Sequence, residues 1–136
     1  MSAARRVLEV AGVRRWAEAD DEAREACRQA LRDFRETAER GASPAELTAA
    51  HLVIHRSFVG RTGSTRLVAL AESLTSEIRL ALAKVDRIRR NTGDQVHSHA
   101  SLLDLLDAGD IDGAATELEA HLAHAETSML TALDLA

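Results

Sequence analysis

The recurrence of apolar residues at helical spacing, broken by short glycine- or proline-containing segments, is the feature that most limits the fold of this chain. Apolar residues return every three or four positions, and no stretch long enough to form a strand alternates with a period of two. The composition agrees, because aromatic residues make up only 2% of the chain and there is a single proline. The sequence therefore predicts an all-α fold.

Six helices follow from this pattern. The predicted ranges are 3–17, 20–39, 44–59 and 65–90, then a fifth helix between breaks at 91–94 and 109–110, and a sixth from 111 onward. The third has the strongest start signal, because Ser43 is suited to cap it, Pro44 to open it and Glu46 to complete a capping box. Short connections favour antiparallel neighbours. We therefore expect an antiparallel bundle of about six helices, formed by a single domain over residues 1–136.

The same spacing predicts which residues of each helix face the core. On the second helix, Cys27 falls on the apolar stripe, so we expect a buried thiol rather than a nucleophile, and a lone cysteine cannot form an internal disulfide. The inward positions predicted for the first and fourth helices are Val7, Val10 and Val13, and Leu67, Leu70, Leu74, Ile78 and Leu82.

Charge and hydropathy exclude several functions. The formal net charge is −5, and the basic residues are interspersed with acids, which argues against nucleic-acid binding by this chain. No apolar run approaches the length of a membrane span, and the first residues lack the apolar stretch of a signal peptide. We therefore expect a cytoplasmic protein that contacts neither membranes nor nucleic acids directly.

Four of the six histidines fall on the apolar stripes of their helices. His51 and His55 are four residues apart and share one face of the third helix, while His99 and His121 lie on the stripes of the fifth and sixth. Burying imidazoles without partners costs about 1–3 kcal/mol for each unsatisfied group, and a divalent metal removes that cost. This placement favours a metal site in the core of the bundle.

A simpler interpretation remains open at this point. Each of the four histidines could be a core residue with a hydrogen-bond partner and no metal. His97 and His124 are weaker candidates for ligands, because His97 points elsewhere on its helix than His99. His124, three residues after His121, is either a substitute ligand or a surface residue.

Four sequence segments, in order, resemble the FCD domain, the C-terminal effector-binding domain of one branch of the GntR-type bacterial transcription regulators. Residues 5–9, RRVLE, are similar to the opening R-R-x-L-E of that family. Residues 55–58, HRSF, and 63–67, GSTRL, are similar to its F-H-R-x-L and G-N-P-x-L segments. Residues 99–110, HASLLDLLDAGD, resemble its E-H-x-x-I-x-x-A-I-x-x-G-D stretch, and His121 followed by leucine matches its last H-L.

The resemblance implies a helical bundle that holds a divalent metal through one aspartate and three histidines, with a small carboxylate effector at the open position of the metal. His55, His99 and His121 match the three histidines, and His51 stands where the family has its aspartate. A fourth imidazole removes one negative charge and favours zinc, nickel or copper over harder ions such as manganese, with zinc or nickel expected first. It also leaves the full +2 charge of the ion to attract an anion.

Two arginines are candidates for binding the carboxylate. Arg5 lies in the family-like first segment, and its guanidinium offers a two-pronged donor, although a surface pair with Glu9 explains it equally well. Arg79 lies beside apolar positions in the middle of the fourth helix and is a candidate on the same grounds.

Because the resemblance begins almost at Met1, we expect the winged helix-turn-helix of this family to be absent from the chain. One hypothesis is a metal-dependent sensor domain that binds a small organic acid and, like the family, forms a homodimer. The alternative is a metalloenzyme in which the metal acts as a Lewis acid or activates water, with His97, His124 or a nearby glutamate accepting the proton and no catalytic residue yet assigned.

Overall fold

The computed structural model describes residues 2–89 and 92–134, and within these ranges all regular secondary structure is helical. This confirms the predicted all-α class and the prediction of about six helices. A short 3₁₀ helix at Trp16–Glu18 follows the first α-helix. The α-helices are α1 (Ser2–Arg14), α2 (Asp21–Glu39), α3 (Pro44–Gly60), α4 (Thr65–Arg89), α5 (Thr92–Asp107) and α6 (Ile111–Asp134).

Side-chain caps explain where two of the helices begin. The Ala23 N–H donates to Asp20 Oδ1 over 2.7 Å at the start of α2. At the start of α3 the predicted capping box is complete: the Glu46 N–H donates to Ser43 Oγ over 3.2 Å, and the Ser43 N–H donates to Glu46 Oε2 over 3.1 Å. Helix α5 begins at Thr92, inside the segment predicted as a break, so the sequence prediction places this start too late.

Helix α3 occupies the centre of the bundle, where it packs against α1, α2 and α4. Helix α6 contacts α1, α4 and α5, and α5 also packs against α2. The two histidines of α3 therefore lie among several helices rather than at the edge of the fold. No helix within the described residues is long and apolar enough to cross a membrane.

The core confirms several of the predicted inward positions and corrects two. Val10 and Val13 are buried, and so is Cys27, whose thiol pKa is raised by burial. The inward position predicted for Val7 is wrong: its side chain is 68% exposed, because α1 turns the face of Leu8 and Val13 inward. The inward position predicted for Leu70 is also wrong.

On α4 the buried edge runs through Ala71, with Leu67, Val68 and Leu74 packed around it, so Leu70 is left 48% exposed. The predicted Ile78 and Leu82 side chains lie outside the described residues. The spacing of leucines alone does not separate the two sides of this helix, because both carry apolar residues.

Helices α1 and α3 approach so closely that only glycine fits at their contact. A Cβ added to Gly12 would overlap the carbonyl oxygen of Phe58 and lie 2.7 Å from its carbon. Just after the end of α1, the Arg15 Nη1 donates to the Thr62 carbonyl over 3.0 Å. This contact fixes which residues of α1 face α3.

Replacing Gly12 with alanine is expected to destabilise the protein by at least about 2 kcal/mol, because the helices must separate to admit the methyl group. Urea unfolding followed by circular dichroism measures this loss. The matched control is Gly60→Ala, where an added Cβ meets nothing within 4 Å. We expect that variant to be neutral or more stable by up to about 1 kcal/mol. Equal stability of the two variants would contradict the close contact.

Candidate metal centre

Three helices bring the four predicted histidines together. Helix α3 contributes His51 and His55, α5 contributes His99, and α6 contributes His121. One ring nitrogen of each lies within 4.8 Å of those of all the others. His51, His55 and His99 are buried, and His121 is half-buried. The fold thus converts four positions separated in sequence into a single cluster that could hold a metal ion.

The Nε2 atoms of three of these rings converge. His55 Nε2 lies 3.1 Å from His51 Nε2 and 3.1 Å from His99 Nε2. Two nitrogens bound to one ion at about 2.1 Å stand about 3.0 Å apart at a right angle and about 3.4 Å apart in a tetrahedron. The observed spacing therefore matches the spacing that a shared ion requires.

The protonation state of the α3 histidines also suits metal binding. Burial, and then repulsion from the neighbouring imidazoles and Arg5, lower the pKa of His51 well below 6.5. Burial lowers the pKa of His55 in the same direction, with further contributions from His51 and Arg5. Both rings are therefore neutral at pH 7, the form in which imidazole ligates a metal.

His51 occupies a largely apolar environment. Its ring stacks on Phe34, with centroids 5.5 Å apart and an angle of 15° between the planes. Its Nδ1 atom is buried and has no hydrogen-bond partner among the described residues. An unsatisfied buried polar atom costs about 1–3 kcal/mol. The ring is thus poorly explained as a hydrogen-bonded core residue, and its other nitrogen, Nε2, is the atom that faces the cluster.

A buried carboxylate lies behind His55, on the side away from the cluster. Glu9 Oε1 is 2.5 Å from His55 Nδ1, and Glu9 Oε2 is 3.3 Å from Arg5 Nη2. Arg5 is 6% exposed and Glu9 is 2% exposed. Burial raises the pKa of Glu9 to about 8, while the Arg5 guanidinium acts in the opposite direction. A hydrogen bond donated by the His55 ring also favours the charged carboxylate.

Helical spacing predicts Glu9 only as a partner of Arg5 and does not predict its contact with His55. That contact spans 46 residues, so the periodicity of α1 does not reveal it. One signal was present: Arg5, Glu9 and Gly12 lie on one face of a helix.

The two candidate arginines occupy different places. Arg5 is close enough to the cluster to influence the pKa of both His51 and His55. Arg79 is exposed and lines a surface groove of about 330 Å³ between α3 and α4, where Arg56 and Glu72 also lie. None of the four clustered histidines lines that groove. The structure thus places Arg5, but not Arg79, beside the cluster.

The remaining histidines lie outside the cluster. His97 and His124 are both exposed, and neither belongs to the group that could hold a metal. His121 is the most exposed of the clustered four, and its Nδ1 lies 3.4 Å from Ser98 Oγ. Solvent therefore reaches the cluster most directly on the side of α6.

Comparison with known proteins assigns the fold to a family. The FCD domain model matches residues 1–124 of this chain, a range that includes all four clustered histidines and Arg5. Searches of curated proteins and of solved structures gave no match. Because the family model covers most of the 136 residues, the chain belongs to the FCD domain family, the effector-binding domains of GntR-type transcription regulators.

Proposed function

We propose that this chain, as a single ligand-binding domain over residues 1–136, is a metal-dependent sensor of small organic acids. The observation that carries the proposal is the convergence of the buried imidazoles, with His55 Nε2 3.1 Å from two other Nε2 atoms. Neutral nitrogens at this spacing repel through their lone pairs unless a proton or a cation lies between them. A divalent cation satisfies all of them at once.

The proposed ligands are His51, His55, His99 and His121. Four neutral imidazoles form a borderline-soft donor set, which suits zinc or nickel better than manganese. When bound, such an ion supplies a Lewis-acidic centre that attracts a carboxylate oxygen. The half-buried position of His121 leaves a side from which a small anion can approach.

Purified, untagged protein is expected to contain about one zinc or nickel ion per chain, measured by elemental analysis. After reconstitution, zinc and nickel should bind more tightly than manganese, because the ligands carry no charge. His55→Ala should lose the metal, while His97→Ala, which changes an exposed histidine, should retain it. Full metal occupancy in His55→Ala, or none in the reconstituted wild type, would contradict the proposed site.

Arg5 is the proposed second contact for the acid. Its guanidinium lies beside the cluster, and its known partner, Glu9, occupies one of its amino groups. A guanidinium carries five N–H donors, so a carboxylate ligand can share it with Glu9. Arg79 is the second candidate, and it would bind the acid in the α3–α4 groove rather than at the metal.

The effector proposal is tested by isothermal titration of the zinc-loaded protein with a panel of mono-, di- and tricarboxylates. We expect at least one acid to bind, and its affinity to fall at least about tenfold in Arg5→Gln, because a charge-assisted hydrogen bond is lost. Arg79→Gln should bind like the wild type. If Arg79→Gln instead lost affinity and Arg5→Gln bound like the wild type, the acid would bind in the α3–α4 groove. Acid binding that is unchanged by zinc removal would contradict metal dependence.

We also propose that the domain forms a homodimer. Val7 on α1, Leu70 on α4 and Leu130 on α6 are large apolar residues exposed to solvent, and burial against a second copy removes them from water. Sedimentation velocity at tens of micromolar should give about twice the chain mass of 14.7 kDa. A single species at the chain mass would contradict this.

A further inference from the structure

We propose that Glu9 is a positioning residue for the metal centre: it holds His55 with Nδ1 protonated, so that the Nε2 lone pair faces the other imidazoles. The proposal deepens the metal site of the preceding section and rests on it. Glu9 does not touch the ion itself. It acts through His55, from the opposite side of that ring.

The two nitrogens of His55 face different partners. Nδ1 lies 2.5 Å from Glu9 Oε1, whereas Nε2 lies 3.1 Å from the Nε2 atoms of His51 and of His99. A neutral imidazole carries one N–H, so a hydrogen bond donated by Nδ1 leaves Nε2 with a free lone pair. Of the two tautomers, the one that Glu9 selects is the one able to ligate at the cluster.

The carboxylate is itself held in one orientation. Its two oxygens have separate partners, because Oε2 faces Arg5 Nη2 at 3.3 Å while Oε1 faces His55. The contact of Gly12 with Phe58 fixes α1 against α3 one turn further along. Glu9 therefore has little freedom to rotate away from His55.

In its ionised form, Glu9 also supplies negative charge that the proposed ligands lack. Four neutral imidazoles offer a divalent ion no negative charge. A carboxylate that accepts a hydrogen bond from a ligating imidazole makes that imidazole a stronger donor, and such partners typically change metal affinity 10- to 100-fold. Glu9 Oε1 lies 2.5 Å from His55 Nδ1, which places this carboxylate directly against one of the proposed ligands.

A purely structural role makes different predictions. If the Arg5–Glu9 pair only fastened α1 to α3, removing Glu9 would lower the stability of the fold without altering the tautomer of His55. Metal affinity would then change no more than in any variant of equal stability. The tautomer and the affinity are therefore the measurements that separate the two roles.

The test compares Glu9→Met, which removes both the acceptor and the charge, with Glu9→Gln, which keeps an acceptor oxygen and removes only the charge. Zinc affinity is measured by competition with a chromophoric chelator. We expect a 10- to 100-fold loss in Glu9→Met and a smaller loss in Glu9→Gln. Glu18→Gln, which changes an exposed acid paired with Arg15, serves as the control and should bind zinc like the wild type.

The tautomer is measured in the metal-free protein by long-range ¹H–¹⁵N correlation spectra of labelled histidines. At about pH 9, where Glu9 is ionised, wild-type His55 should carry its proton on Nδ1, and Glu9→Met should lose that preference. Unchanged zinc affinity in Glu9→Met, or a His55 Nδ1–H that persists there, would overturn the proposal. If Glu9→Met does not fold, the zinc affinity of Glu9→Gln decides: a loss relative to the wild type supports the proposal, and an unchanged affinity overturns it. If the wild type binds no zinc, the metal site fails, while the tautomer still reports on Glu9.

Discussion

The close contact between α1 and α3 is the constraint on which the candidate site depends. Gly12 rests against the Phe58 carbonyl, and no residue with a Cβ fits there. With the helices at this distance, Glu9 reaches His55, which lies one turn before Phe58. A larger separation would leave Glu9 and Arg5 as a buried ion pair with no polar partner on α3, which is a costly arrangement. The packing of one glycine therefore determines the electrostatics of the site.

The cluster is difficult to explain as an ordinary hydrophobic core. Three buried imidazoles occupy positions at which leucine or phenylalanine would contribute about 1.5–3 kcal/mol each through burial. In His51 a buried nitrogen has no hydrogen-bond partner among the described residues. Histidine at these positions therefore costs stability relative to an apolar side chain. Metal ligation would offset that cost, because ligand binding to the folded state adds directly to the free energy of folding.

Helical periodicity predicted the part of the site that depends on single helices. His51 and His55 were found because residues four apart share a face, and His99 and His121 because each lies on an apolar stripe. The predictions for Val7 and Leu70 failed because an apolar residue does not by itself reveal which side of its helix packs against another helix. Both α1 and α4 are apolar on more than one side. Glu9 was missed because its role depends on the distance between two helices, which local spacing does not encode.

The distribution of charge around the proposed metal site would favour the binding of anions. Arg5 and Glu9 form a buried pair whose charges largely cancel, and the four imidazoles are uncharged when they act as ligands. A divalent ion held by them therefore keeps nearly all of its charge, in a surrounding of low dielectric where that charge acts strongly. A small anion entering beside His121 would meet this charge with no competing carboxylate on the ion. In the proposed site, His51 stands where the family pattern has its aspartate and the Glu9 carboxylate lies behind His55, so holding the ion and attracting the acid would fall to different groups.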